Sequence, residues 1–373
     1  MRRKILWLPS PPSEGCASMD RYWRELTRQL GNSPLAAFDI RSPFGEPPAH
    51  SKKAPRLARI WNKYFRLPWK IRRQGDADVV HILDHSCAHF LTRLPASVRK
   101  IVTVHDLAPL EDPDRLTPAQ VRRFRATVSN LKGADLLLCD SQYTARATGE
   151  FLKRDRDIQV LPLGVNAAQF AMRRTLNPGH SLPACPRILS VGSNLRRKNL
   201  GILPDVMRDV KSVIGTVALI RVGERLDADT LASLQRSLGP ENVVELGGCS
   251  DDDLVALYQN VDLLLFPSTI EGFGLPLLEA MAAGCPVVSS DASSLPEVGG
   301  EDALYFRPSR AAEGAAQIIR LLKDPQLRTS LIDRGKQRAA LFSWARHAEL
   351  LAAVYAQAAE NLHTKGMEPC DAR

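Results

Sequence analysis

The stretch DLLLFPSTIEGFGLPLLEAMAA, residues 262–283, reads as strand, loop and helix in turn. Leu263 to Phe266 is an apolar run with the length of a buried strand, Pro267 to Gly274 is a glycine-bearing loop, and a helix begins near Leu275. Free N–H groups at a helix start, approached through the side-chain-free Gly272 and Gly274 and flanked by Phe273 and Leu275, make a site for a diphosphate. Glu279 falls in the first turns of that helix, where a carboxylate can accept two hydrogen bonds from a ribose diol. Glu271 stands in the loop, where a sugar attached to the diphosphate would lie. A plain connection carrying two solvated glutamates is the alternative; two acids framing a glycine loop favour a site.

Working outward, the same pattern recurs. VGSNLRRKNL, residues 191–200, places the Gly192 turn after a strand and follows it with Arg196, Arg197 and Lys198. Three cations at a helix start oppose the helix dipole and need a partner, and Arg197 and Lys198 suit the charge that develops on a departing phosphate. Further strands are expected at 77–82, 100–104, 135–139 and 159–161, then at 187–192, 216–222, 243–246 and 286–290, with helices at 20–30, 251–259, 275–283 and from Trp344 to about Ala359. Near-continuous aliphatic strands separated by helices predict parallel sheets covered on both faces. Residues 171–186, with three prolines and a glycine, break the pattern. The predicted organisation is an N-terminal domain over 1–170, a linker over 171–186, a second domain over 187–345 and a C-terminal helix and tail over 346–373. The fold class is α/β, with two Rossmann-like domains facing across a cleft and the C-terminal helix returning to the first domain.

Composition narrows the class. The chain has 373 residues, 44% apolar and 24% charged, as for a globular protein of two domains. The net charge of +9 is uneven: residues 1–180 hold 30 Lys and Arg against 17 Asp and Glu, so the first half is expected to meet something anionic. Seven cysteines without a CxxC pair fit reduced thiols. The apolar run after Met1 to Lys4 is too short for a signal-peptide core, and no stretch approaches the roughly 18 apolar residues of a spanning helix. A cytoplasmic protein at the inner face of the membrane is expected.

These motifs together resemble the retaining glycosyltransferases of family 4 (group 1), which have the GT-B fold. The E-x7-E pair stands here as Glu271 and Glu279 within EGFGLPLLEAMAAGCPVV, and the basic pair as Arg197 and Lys198; LGGCSDDDLVALYQNVDLLLFPS (246–268) and Glu297-Val298 also fit. The resemblance implies that Glu279 binds the nucleotide ribose, Glu271 contacts the donor sugar and the basic pair holds the diphosphate. TVHDL (103–107) resembles the family's strand ending in a histidine that faces the donor sugar, which makes His105 a catalytic candidate; alone it would read as a packed or capping histidine. Cys139-Asp140-Ser141 and LPLGV (161–165) fit family positions. The first loop departs from the family, having Gly15 where a glycine pair is usual. Asp84, His85 and Asp106 are placed on the acceptor side. The implied reaction moves a sugar from a GDP- or UDP-sugar to a hydroxyl of a glycan or lipid-linked acceptor in surface polysaccharide synthesis, with retention. EGFGLP resembles the family's mannosyltransferases and favours GDP-mannose.

His81, His85 and His89 have helical spacing, but His81 lies in an expected strand. The D-x-D pairs at 76/78, 112/114, 155/157 and 227/229 do not follow buried strands, and Arg197 and Lys198 can replace a metal. No metal or other cofactor is expected. Residues 51–75 interleave nine cations with Trp61, Tyr64, Phe65 and Trp69, which suits an anionic membrane, a polyanion or a solvated helical face. No nucleic-acid recognition motif accompanies that charge. A non-catalytic nucleotide-sugar-binding protein and another GT-B enzyme, such as a sugar-nucleotide epimerase, are the competing classes. A dinucleotide dehydrogenase is disfavoured because no G-x-G-x-x-G follows an expected strand.

Overall fold

A computed structural model describes residues 2–14, 16–48, 54–72, 76–113, 116–177 and 181–365. The chain forms two compact units, Met1–Gly164 with Trp344–Arg373, and Val165–Ser343. The first contains β1 (Lys4–Leu8), β2 (Asp39–Arg41), β3 (Val79–Ile82), β4 (Arg99–Val104), β5 (Leu136–Cys139) and β6 (Ile158–Val160). They make one parallel sheet in the order β2-β1-β3-β4-β5-β6. The second contains β7 (Arg187–Gly192), β8 (Ala218–Gly223), β9 (Val243–Glu245), β10 (Leu263–Phe266), β11 (Val287–Ser290) and β12 (Leu304–Phe306), again all parallel, in the order β12-β11-β10-β7-β8-β9. Each unit is Rossmann-like.

The burial pattern explains the strands. β3, β5, β10 and β11 are buried along their whole length, as a central strand covered on both faces must be. The outermost strands are three residues each and mix polar with apolar side chains, which limits edge pairing. β2 and β12 are not among the strands expected from sequence, whereas the equally short β6 and β9 are. Helices cover both sheets through single apolar stripes; Leu203, Val206, Met207 and Val210 of the helix Leu203–Ile214 are buried at helical spacing.

The unit boundary lies ahead of the expected linker. Val165 bridges in parallel to Ser343, and its N–H donates to Phe342 O at 2.8 Å. Gln259 Nε2 donates to the carbonyls of Phe170 and Met172, both at 2.9 Å. Residues 165–172 are thereby packed into the second unit, although the proline- and glycine-rich composition begins only after them.

From Trp344 the chain belongs to the first unit, where the helix Trp344–Lys365 is anchored by Tyr355. Trp7 Nε1 donates to the buried Tyr355 hydroxyl at 2.6 Å, and His81 Nδ1 lies 2.6 Å from the same oxygen. An indole can only donate, so the Tyr355 oxygen accepts from Trp7, and the other ring nitrogen of His81, Nε2, lies 2.8 Å from Thr103 Oγ1. Burial lowers the pKa of His81 to about 3, in keeping with a neutral ring. Tyr355→Phe orphans the Trp7 N–H and His81 Nδ1 together, and is expected to cost about 1–3 kcal/mol in chemical denaturation.

Candidate functional site

In the second unit the chain order runs outward from β7 in both directions, so that β7 and β10 are neighbours, paired at Ile188–Leu263 and Leu189–Leu264. At such a reversal the loops leaving the two strands diverge and open a crevice beyond their carboxyl ends. The loop after β7 carries Arg197 and Lys198, and the loop after β10 carries Glu271, 73 residues further on in the case of Lys198. Lys198 Nζ donates to Glu271 Oε1 at 2.5 Å, and Arg197 donates from Nη1 to Glu271 Oε2 and to Ile270 O, both at 3.0 Å. Glu271 is buried. Burial pushes its carboxyl up, but Lys198 and Arg197 outweigh this and hold it below the ordinary carboxylate value.

The backbone around this cluster is tied down. Glu271 N–H donates to Ser293 Oγ at 2.9 Å and Ser294 Oγ donates to Glu271 O at 2.8 Å. Thr269 N–H donates to Arg197 O at 2.7 Å, joining the two loops. Asn199, with φ 54°, donates from Nδ2 to Pro267 O and Pro308 O. Gly192 takes φ 134° and Gly274 φ 99°, values that L side chains rarely adopt. A Cβ on Gly274 would also fall 2.7 Å from Leu295 Cδ2.

The cations do not open a long helix, as the sequence reading had supposed. Arg196–Lys198 is a 3-10 turn, and the helix proper starts at Leu203. For Arg197 and Lys198 a partner is present in the protein itself, as Glu271. The helix Leu275–Ala283 begins at Gly274 with no side-chain cap on its first N–H groups, and Gly272, Phe273 and Gly274 are buried against it. Glu279, 2% exposed, accepts from Tyr258 Oη at 3.2 Å.

Arg221, on β8, was missed. It is fully buried and donates to the carbonyls of Ser190 (3.2 Å), Val222 (2.8 Å), Gly192 (2.5 Å) and Ser193 (3.0 Å), gripping the Gly192 turn from below. Burial lowers its pKa to about 10, opposed by Glu245 and Glu224. A lone arginine inside the apolar strand ALIRVG was the available signal.

In the first unit the ends of β1, β3, β4 and β5 bring Ser10, Asp84, His85, His105 and Asp140 together. His105, 7% exposed, has Nδ1 at 2.7 Å from Asp140 Oδ2 and Nε2 at 2.9 Å from Leu83 O. Both partners are acceptors, so both nitrogens donate and the ring is an imidazolium. Burial works against this charge, but Asp140 raises the pKa to about 9. Asp140 is itself pushed up by burial, its Oδ1 having no hydrogen-bond partner among the described residues. Tyr22 meets the His105 ring edge-on at 5.0 Å.

His105 N–H donates to His85 Nδ1 at 3.4 Å. Asp84 caps the 3-10 turn His85–Arg93 through Ser86 N–H at 2.8 Å and also accepts from the Ser10 and Ser86 hydroxyls. Burial pushes the Asp84 carboxyl up, yet His85 and Ser10 bring it down to about 2. Asp106 Oδ1 accepts from Ala108 N–H at 3.1 Å, a local turn contact. Gly15 lies outside the described residues. His81 sits in β3 and His85 and His89 in the turn after it, and among the described residues no three His, Cys, Asp or Glu side chains are grouped to hold a metal ion.

Because the folded pKa of His105 lies above its ordinary 6.5, the pair contributes stability in full below pH 6.5 and loses it as pH rises through about 9. Urea denaturation between pH 6 and 10 should show this decline, and Asp140→Asn should flatten it while lowering stability at neutral pH. A wild-type stability that rises over this range would contradict the imidazolium assignment.

Residues 21–169 match the family described as Glycosyltransferase Family 4, and residues 183–338 that described as Glycosyl transferases group 1. The chain is 30% identical over 316 residues to MMP alpha-(1->4)-mannosyltransferase of Mycolicibacterium hassiacum, covering 77% of this chain and 72% of that protein. It is 30% identical over 258 residues to O-antigen chain mannosyltransferase B of Escherichia coli, covering 66% and 67%. Sucrose-phosphate synthase from Thermosynechococcus elongatus aligns with a TM-score of 0.75 at 21% identity, over 95% of this chain and 99% of that one. An Anabaena protein solved in complex with UDP and glucose aligns at 0.71 and 19% identity, over 95% and 100%. At these identities the structures speak to fold alone, which is the GT-B fold of two Rossmann-like domains. With both sequence matches and the 30% relative agreeing, the chain belongs to the group 1 glycosyltransferases of family 4 and is a hexosyltransferase.

Proposed function

We propose that the protein takes mannose from a nucleoside diphosphate sugar, GDP-mannose, and places it with retention on a hydroxyl of a glycan, free or lipid-linked, in surface polysaccharide synthesis. The observation that carries this reading is the joining of Arg197 and Lys198 to Glu271 beside the uncapped start of the helix Leu275–Ala283. Two cations against one carboxylate leave a net positive cluster next to a helix start that no side chain caps, the environment a diphosphate requires. The names of both mannosyltransferase relatives support the sugar.

In this reading the diphosphate docks on the Gly272–Leu275 backbone, with Gly192 leaving room for the approach and Glu279 taking the ribose diol. Glu271 already holds both cations in place, so little reorganisation precedes reaction. As the bond from the sugar C1 to the phosphate oxygen breaks, negative charge grows on the diphosphate beneath Arg197 and Lys198. The acceptor oxygen bonds to C1 on the same face, and its proton passes to the departing phosphate oxygen. His105, with both ring nitrogens donating, has no lone pair with which to take that proton; it orders the ends of β3, β4 and β5 on the acceptor side, with Asp84, His85 and Asp106. Arg197 and Lys198 supply the positive charge, and no divalent cation is needed.

A thermal-shift panel of GDP, UDP, ADP and their common sugars tests the donor. GDP and GDP-mannose should stabilise the protein, by about 2.7 kcal/mol at a hundred times Kd, and Glu279→Ala and Arg197→Ala should abolish the effect. Lys198→Ala should lower kcat with GDP-mannose by about 10²–10³. Nucleotide binding without release or transfer of the sugar would favour a non-catalytic binding protein instead. Turnover should survive EDTA; loss on chelation with recovery on adding Mg²⁺ would remove the metal-free part of the mechanism.

A further inference from the structure

One segment takes no part in the chemistry above. Residues 51–75 carry nine Lys and Arg and neither Asp nor Glu. The described part runs as a helix Arg56–Trp61, a π-helical turn Asn62–Arg66 and a helix Leu67–Arg72. Its inner side is anchored: Leu67 is buried in the core of the first unit, Ile71 packs on the same cluster, and Arg59 pairs with Glu14 at 3.2 Å. Its outer side exposes Leu57 (81%), Trp61 (61%), Phe65 (59%) and Trp69 (52%), and the Trp61 and Phe65 rings are stacked at 5.1 Å.

The four residues recur at every fourth position. On a continuous α-helix a step of four overshoots one turn by about 40°, so such a row winds away around the axis. A π turn spends more residues per turn and offsets that drift, keeping the row together on the exposed side. Large apolar side chains held out in water call for a cover. A protein surface suits poorly, because interface cores are depleted in lysine, whereas this segment's sequence holds Lys52, Lys53, Lys63 and Lys70 among its cations. An apolar row with tryptophans inside a purely cationic segment is complementary to anionic lipid, whose phosphates meet the charges while the rings enter the headgroup boundary.

We propose that the exposed row Leu57, Trp61, Phe65 and Trp69 docks the protein on an anionic membrane surface, the cationic sequence of residues 51–75 supplying the attraction to anionic lipid. Among the described residues no helix is long and apolar enough to cross a membrane, so this contact is peripheral.

Flotation of the full chain with vesicles of phosphatidylcholine and phosphatidylglycerol, against vesicles of phosphatidylcholine alone, tests the proposal. The protein should float with the anionic vesicles and be released by salt. Its tryptophan emission should shift to the blue on binding, because Trp61 and Trp69 are exposed whereas Trp7, Trp23 and Trp344 are buried. The triple variant Trp61→Ser, Phe65→Ser, Trp69→Ser should lose flotation, and Arg66→Glu should lower the partition coefficient by about fivefold or more. Both should keep the wild-type melting temperature and turnover on a soluble acceptor. No flotation, equal binding to neutral vesicles, or unaltered binding by the triple variant would overturn the proposal. So would sedimentation showing a dimer that the triple variant dissociates, which would give the row to a second copy of the chain. Flotation needs no turnover, so this reading and the glycosyl-transfer reading fail separately.

Discussion

The polar architecture of the second unit depends on a buried carboxylate, Glu271, held between Lys198 and Arg197. An isolated charge at that depth is expensive, and removing one member of a buried pair typically costs about 3–5 kcal/mol because the other is left uncompensated. The surrounding hydrogen bonds follow from that constraint. Ser293 and Ser294 fix the Glu271 backbone, Thr269 and Asn199 tie the two loops to each other and to the strand end, and Arg221 grips the Gly192 turn. The charges can meet because β7 and β10 are adjacent in the sheet, which brings the loops that leave them side by side. A cluster held in this way carries net positive charge, and the loop after β10 leads into a helix start that no side chain caps.

The first unit applies the same topology to a different end. Its strand ends converge on an imidazolium, His105, neutralised by Asp140 and seated on the Leu83 carbonyl, with Tyr22 against the ring. Around it Asp84 and His85 are occupied by partners within the unit. Among the described residues one carboxylate oxygen of Asp140, Oδ1, has no hydrogen-bond partner. The chemistry of these strand ends is that of an ordered, charged wall rather than of a free base. The helix Trp344–Lys365 stabilises the same unit from the far end of the chain, through a chain of buried hydrogen bonds running from Trp7 through Tyr355 and His81 to Thr103.

Much of this was legible in the residues. Aliphatic runs such as Leu263–Phe266 can only be covered strands, glycines at 192 and 274 mark turns that need positive φ, and the order of strands and helices sets a parallel α/β fold. Glu271, Arg197 and Lys198 stand out in the sequence as charges in glycine-bearing loops after strands, and Glu279 as a charge within the apolar helix that follows. Packing decided the rest. Composition placed the unit boundary in 171–186, but pairing of Val165 with Phe342 and Ser343 moved it to Gly164, since a boundary is set by where contacts cease. The sequence showed that Arg197 and Lys198 needed a partner; only the neighbouring of β7 and β10 named it as Glu271. The charge state of His105, the grip of Arg221 and the docking of Tyr355 each join residues tens to hundreds of positions apart. Local periodicity carries no information at that range, so such pairings exist only once the sheets have closed.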